Sequence, residues 1–368
     1  MSKARDTADI NSGTNTAAGE DALENNTGSN NTAVGNDALL SNTTSSNNTA
    51  VGYQAGYSNT TGTGMVAVGR LSGYSNSTAS YNTFVGEAAG YTNSTGASNT
   101  ALGNSSLYDN TTGANNVAVG ASALANNTTA SENTAIGSLA AYSNTTGTRN
   151  TALGRATLYD NTTGNYNVAL GYDSLANNTT ASNNTAVGYQ AGYSNTTGSY
   201  RTFMGYQAGY SATTSNHTTA IGYGAGRSTT SGQETYIGSQ AGYNQTGVNN
   251  TSVGMSSLYG SSGSSSGSSN VAMGVEALFS STTASNNTAV GYQAGYSNTT
   301  GVQLTAVGTQ AAKNNTTGLN NSAFGGAALI SNTTGGSNTA LGRQALYLNT
   351  TASNNTAVGY QAGYTTAT

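Results

Sequence analysis

The sequence predicts an all-β chain folded as a β-solenoid, a β-roll of about 21 coils with a 17-residue repeat. Three observations predict it. A glycine-closed word, typically N-T-A-V-G, recurs at a nearly fixed step. The residue before that glycine is apolar in every copy. Proline, cysteine and tryptophan are absent, while glycine occurs 50 times in 368 residues. A disordered polar tract has no reason to keep one position dry 21 times, so the low-complexity alphabet here signals a repeat.

The step is read from the closing glycines, which run Gly19, Gly35, Gly52, Gly69 and onward to Gly359. It is 17 residues throughout, except 16 at the first interval and the two after Gly222, and 20 before Gly274. The long step contains SSGSSSGSS (261–269), a composition that reads as a flexible insertion at a turn. Residues 103–153 and 154–204 share LYDNTTG and LANNTTAS at the same offsets, so the repeat grew by copying three coils at a time. Residues 1–14 are assigned to an N-terminal attachment or cap segment. Residues 15–368 form the repeat shaft, with irregular coils around 222–274.

Each coil is expected to hold two short strands and two turns, because Thr/Val-rich alternation reads as strand. Stacked at the interstrand spacing, 21 coils make a rod on the order of 100 Å long, stabilised by neighbour contacts. In N-T-A-V-G the Thr and Val side chains share one face and Ala takes the other. The apolar Val column is expected to point into the roll. The Ala column, with Phe84, Phe203 and Tyr236 as exceptions, is then left outside and covered by sister subunits, with Phe84 and Phe203 at or near the contact. Asn fills the position four before the glycine in 16 of 21 copies and seven after it in 15. Stacked amides should hydrogen-bond from coil to coil. Many of these Asn lie in N-x-T words, which an Asn/Thr alphabet produces by chance. Tyr at the fifth position, from Tyr57 and Tyr74 to Tyr364, usually follows a Gly and should lie over its backbone, in ladders that pack the wall.

Chemistry is sparse. Charged residues make up 6% of the chain, its net charge is −4, and the nine Lys and Arg are scattered singly, so nucleic acid is not an expected partner. No apolar run is long enough to span a membrane, and the start MSKARDTADI lacks the apolar stretch of a signal peptide. Without cysteine there is no thiolate site, and His217 reads as a solvated turn residue. Asp109 and Asp160 are copies of one site rather than a catalytic pair. The expectation is a non-enzyme with no catalytic, cofactor-binding or metal-binding residues and no cofactor.

The words Asn31–Gly35, Asn133–Gly137 and Asn287–Gly291 resemble the N-S-V-A-I-G motif of trimeric autotransporter adhesin heads. Those are left-handed parallel β-rolls with a coil nearer fourteen residues. The opening Lys3-Ala-Arg5-Asp6-Thr-Ala-Asp9 is similar to the K-A-R-D-x-A-D start of bacteriophage tail-fibre proteins, which continue into repeats of the NTAVGYQAG type. The second resemblance implies a trimeric structural fibre of a virus particle that spaces or presents a host-surface contact. Its expected partners are other copies of the chain, other virion proteins through the N-terminus, and host-surface glycans. The alternative is a bacterial trimeric surface adhesin at the cell surface. A third reading, an ice-binding solenoid, is weakened if the Thr column points inward. The last repeat, Asn355–Tyr364, is as regular as an internal one, so end-on docking or removal of a C-terminal chaperone is expected.

Overall fold

A computed structural model describes residues 14–261 and 265–365, so nearly all of the 1–14 segment lies outside the described residues. The chain divides into two compact units, Met1–Asn184 and Thr185–Thr368. Each is a β-solenoid. The first unit carries ten strands, from β1 (Thr16–Ala18) to β10 (Val168–Leu170), and the second eleven, from β11 (Thr185–Val187) to β21 (Thr356–Val358). Within each unit successive strands are parallel and in register. Thr32 stands opposite Thr49, Ala33 opposite Ala50, and Val34 opposite Val51.

Each coil contributes one strand of three residues rather than two longer ones. The half-coil after the closing glycine cannot pleat, because its second and fourth residues are both left-handed. Asp37 has φ 56° and Leu39 φ 52°, and Gln54 and Gly56 repeat the pattern one coil on. A left-handed non-glycine residue costs about 1–2 kcal/mol. Burying a leucine returns about 2 kcal/mol, and Leu39, Leu107 and Leu124 are fully buried at this position. The turn also keeps its backbone paired between coils, with Gln54 N–H on Asn36 C=O at 2.9 Å and Leu39 N–H on Ala55 C=O at 3.0 Å.

The strand faces the opposite way from the sequence expectation. Ala101 is 0% exposed and its neighbour Leu102 is 47% exposed. The same holds along both units: the Ala column lines the interior, while Val34, Ile136, Leu153 and Met204 face out with the half-buried Thr column. The cause is the size of the coil. Its interior already holds the inward Leu of the turn, a second Ala column (Ala38, Ala55, Ala123) and two columns of Asn, which leaves room for a methyl group opposite. Phe84, Phe203 and Tyr236 are therefore interior residues, each 0% exposed, and not subunit contacts. Glycine makes room for them. A Cβ at Gly90 would overlap the Phe84 ring, one at Gly209 the Phe203 ring, and one at Gly242 the Tyr236 ring. The closing glycine is required for another reason. At Gly120 φ is +129°, and a Cβ there would lie 2.6 Å from the carbonyl carbon of Gly137 in the next coil.

Both Asn columns form the expected ladders. In the column seven after the glycine, Asn110 Nδ2 donates to Asn93 Oδ1 at 2.6 Å, and Asn127 Nδ2 donates to Asn110 Oδ1 at 2.8 Å. In the other, Asn48 Nδ2 donates to Gly62 C=O at 2.9 Å while Asn48 Oδ1 accepts Met65 N–H at 2.9 Å. The ladders share acceptors, since Asn59 Nδ2 also donates to Gly62 C=O at 3.0 Å. The hydrogen bonds made in this way offset the desolvation of the buried amides and fix the coil spacing.

Candidate binding surfaces

Two surfaces and one interruption of the repeat stand out. The first surface is the outer face of the strands. Its column before the glycine is apolar in every coil but varies in shape, with Val68, Leu102, Val119, Ile136 and Leu153 in the first unit and Met204, Ile237, Met273 and Phe324 in the second. Beside it the Thr column points outward rather than inward. The strip is roughly 10 Å wide and one coil is about 4.8 Å tall, so each coil offers roughly 50 Å².

The second surface is aromatic. The fifth-position tyrosines stack on one another. Tyr57, Tyr74, Tyr91 and Tyr108 run in sequence with ring centroids 5.0–5.2 Å apart. In the second unit Tyr193 stacks on Tyr210 at 5.3 Å, and Arg227 lies 5.0 Å from the Tyr210 ring and 5.7 Å from Tyr243. A further exposed ladder follows the closing glycine, where Tyr189, Tyr206 and Tyr223 stack at 5.2 Å. Exposed charges pair along the same direction. Arg149 reaches Glu132 at 2.6 Å and holds its carboxyl below the usual range, mainly through that hydrogen bond. Such exposed pairs contribute little.

The interruption lies in the second unit, at the coils of β12 (Thr202–Met204), β13 (Thr219–Ile221), β14 (Thr235–Ile237) and β15 (Thr251–Val253). Arg201, Thr218 and Glu234 replace the buried Asn in three successive coils, and Ala212, Thr229 and Gln245 replace the other Asn in the same stretch. Arg201 donates to Asn195 Oδ1 and to Ser215 Oγ, both at 2.7 Å. Glu234 accepts from Ser231 Oγ at 2.8 Å and Thr218 Oγ1 at 3.1 Å. Burial lowers the Arg201 guanidinium to about 10, against an opposing pull from Glu234. Burial likewise raises the Glu234 carboxyl, although the hydrogen bonds from Ser231 and Thr218 lower it. Gln245 is buried, and among the described residues neither of its amide atoms has a hydrogen-bond partner.

Outside this interior lies an open notch of about 490 Å³, lined by His217, Gln233, Asn249, Asn216 and Val248. The coils of β14 and β15 have 16 residues, one fewer than their β13 neighbour, and the shortfall falls at the Thr-Thr corner. His217 is an exposed turn residue, as expected, and its ring stacks on Tyr200 at 5.3 Å with planes 5° apart. Sequence reading treated His217 as solvated and passed over the notch. The adjoining 16-residue steps were the signal that could have found it.

The remaining site expectations are placed as follows. Asp109 and Asp160 sit in separate coils of the first unit, each raised above the usual carboxylate range by partial burial. Among the described residues no three His, Asp or Glu cluster as metal ligands, and no helix is long and apolar enough to cross a membrane. Asn42, Asn59 and Asn110, although in N-x-T words, are buried ladder members. Asn47, which also opens such a word, is exposed. In the serine-rich segment Ser265 is buried and bridged to Gln245. No protein-family profile matches the chain, and comparison with curated proteins finds no match.

Proposed function

We propose that the chain is a structural fibre protein of a virus particle, self-associated as a closed oligomer, in keeping with a trimer, that spaces or presents a contact with the host surface. The observation that carries the self-association is the continuous apolar strip on the outer face of the strands. Exposed apolar patches of this extent mark interfaces. One unit's ten coils supply roughly 500 Å² of strip, below the roughly 800 Å² per partner of a standard interface. Each unit carries a strip of this kind on its own strands. The resemblance of the opening and of the repeat words to tail fibres supplies the virion assignment.

The outward Thr column removes the objection to ice binding. The shape of its neighbour column favours a protein partner instead. A crystal lattice demands one side chain at every rung, whereas Val, Leu, Ile, Met and Phe alternate here, which suits the repacking surface of another chain. The test is multi-angle light scattering of the purified chain, beside a variant carrying Val51→Glu, Val85→Glu and Val119→Glu. The wild type should be an oligomer and the variant a monomer with the same circular dichroism spectrum. A wild-type monomer at micromolar concentration sinks the self-association. Electron microscopy with an antibody to the chain tests the virion assignment, which fails if no particle fibre is labelled.

A further inference from the structure

We propose that two buried water molecules are built into the second unit, one beside Ser281 and one beside Gln245, where the repeat elsewhere places an Asn amide. Both sites lie within one chain and one unit, so they go beyond the fibre reading and stand whether or not the chain oligomerises.

A regular rung uses its amide three ways. Asn127 Nδ2 donates to Asn110 Oδ1 at 2.8 Å and to the Ala130 carbonyl, three residues on, at 3.0 Å, while Asn127 Oδ1 accepts from Asn144 Nδ2 at 3.0 Å. Ser281 occupies the same column, seven residues after Gly274. It is fully buried, and among the described residues its Oγ has no hydrogen-bond partner. The next rung feels the change. Asn298 Nδ2 keeps its bond to the Gly301 carbonyl at 2.9 Å but makes none to Ser281, whereas Asn315 Nδ2, one coil later, makes both bonds. The Ala284 carbonyl, three residues on from Ser281, accepts from Asn270 Nδ2 at 2.9 Å but not from its own coil's column residue. The backbone does not close the difference. Ser280 N–H and Thr282 N–H stay bonded to the Tyr296 and Thr299 carbonyls of the next coil, at 2.9 and 3.0 Å.

These groups select the ligand. Ser is two non-hydrogen atoms smaller than Asn, about the room of one water, and a buried water makes about three hydrogen bonds. Here it accepts from Asn298 Nδ2, donates to the Ala284 carbonyl and pairs with the Ser281 hydroxyl, which reproduces the work of the amide. All three groups are neutral, so none offers the counter-charge that a buried ion needs. Gln245 makes the second site. It is fully buried with donor and acceptor both unpaired among the described residues, so its ligand must accept and donate at once. Gln245 Nε2 and Ser265 Oγ lie 3.0 and 2.5 Å from the point that a Gly260 Cβ would occupy. The two atoms thus converge beside a residue without a side chain, and one water can touch both. A dry amide there would carry the desolvation penalty of both its groups.

The experiment is a crystal structure of the full chain at a resolution that shows ordered solvent, beside oxygen-17 magnetic relaxation dispersion, which counts long-lived internal waters in solution. Expected is density for one water within hydrogen-bond reach of Ser281 Oγ, Asn298 Nδ2 and the Ala284 carbonyl, and for another against the Gln245 amide. Ser281→Asn restores the residue that this column carries in the next coil, so folding is preserved. It should lower the count of internal waters by one and raise the melting temperature. Gln245→Met should lower the count by one as well. A position without density in the wild type overturns that site, and an unchanged count in Ser281→Asn overturns the water beside it. Anomalous scattering from either position overturns the proposal in favour of an ion.

Discussion

The β2–β10 coils of the first unit and the β12–β15 coils of the second are built on the same word, yet they differ in how they satisfy their interiors. In the first, Asn from Asn42 to Asn178 bond in an unbroken ladder, each rung resembling the next. In the second, both ladders lapse in the same coils, where Arg201, Thr218 and Glu234 replace one column of Asn and Ala212, Thr229 and Gln245 the other. A ladder of identical rungs is stable but carries no address, since a slip by one coil costs only the end contacts. Residues that fit in one coil alone, such as Phe203 against Gly209 or Glu234 under Ser231, make the register unique. Regularity thus stabilises the stack of coils, and its interruption supplies a place with individual chemistry.

The largest effect should come from turning the inside of the regular region against itself. Ala118→Asp, in β7 (Val117–Val119), buries a carboxylate among Ala and Leu side chains and should destabilise the first unit by about 3 kcal/mol or more. Val119→Asp, one residue on, faces outward and should leave the fold nearly unchanged while weakening association. Thermal melting by circular dichroism separates the two. Equal losses would mean that the strand is covered on both faces within one chain.

Next in size is the ladder. Asn110→Ala removes the shorter of the two donors to the Asn93 oxygen and strands an Asn127 donor, at about 1–3 kcal/mol. The converse change in the second unit, Arg201→Asn with Glu234→Asn, restores the repeat's residue at both positions and should stabilise by about 1–4 kcal/mol, because buried ionisable groups seldom repay their desolvation. Denaturant unfolding measures both. A destabilised double variant would show that Arg201 and Glu234 are worth more than the amides they displaced.

Glu234 also gives the two regions different pH responses. Burial raises its folded value above the ordinary 4.5, so the folded state keeps a proton that the unfolded state has released. Stability from this group is fully present below 4.5 and declines as pH rises through the raised folded value. Melting from pH 7 down to pH 5 should therefore raise the midpoint of wild type relative to Glu234→Gln. Asp109 and Asp160 in the first unit share the sign, being raised by partial burial, and cancel in that difference. Parallel pH curves for the two proteins would remove Glu234 as the source.

The fold class, the coil period and both Asn ladders were legible in the sequence because each depends on what recurs. The facing of the strand was not. Alternation says that Ala118 and Val119 lie on opposite faces but not which face is inside, and hydrophobicity ranked Val first. The decisive fact was volume: an inward Leu and two amide columns leave only a methyl's width, as Ala101 beside Leu102 shows. One signal did carry it. Phe84 and Phe203 coincide with glycine six residues later, at Gly90 and Gly209, which is how a crowded interior writes itself into a sequence. The notch was written as missing residues, and a reading anchored on repeated words notices those last.

The smallest predicted effect probes the wall. In the first unit the tyrosine ladder stops at Tyr108, passes Ala125 and resumes at Tyr142. In the second unit the corresponding gap between Tyr210 and Tyr243 is filled by Arg227, whose guanidinium touches both rings. The two gaps share a geometry, because neighbouring rings sit 5.0–5.3 Å apart and a single missing rung leaves room for one planar group. Ala125→Tyr should therefore complete the stack and stabilise the first unit by about 0.5–1 kcal/mol, the usual worth of an aromatic pair. Arg227→Tyr in the second unit should change little, since it exchanges two cation–π contacts for two stacked ones. Differential scanning calorimetry of both variants decides the matter. A loss of stability in Ala125→Tyr would mean that the wall there is already closed over the alanine, and that the gap serves packing rather than marking a rung that duplication left out.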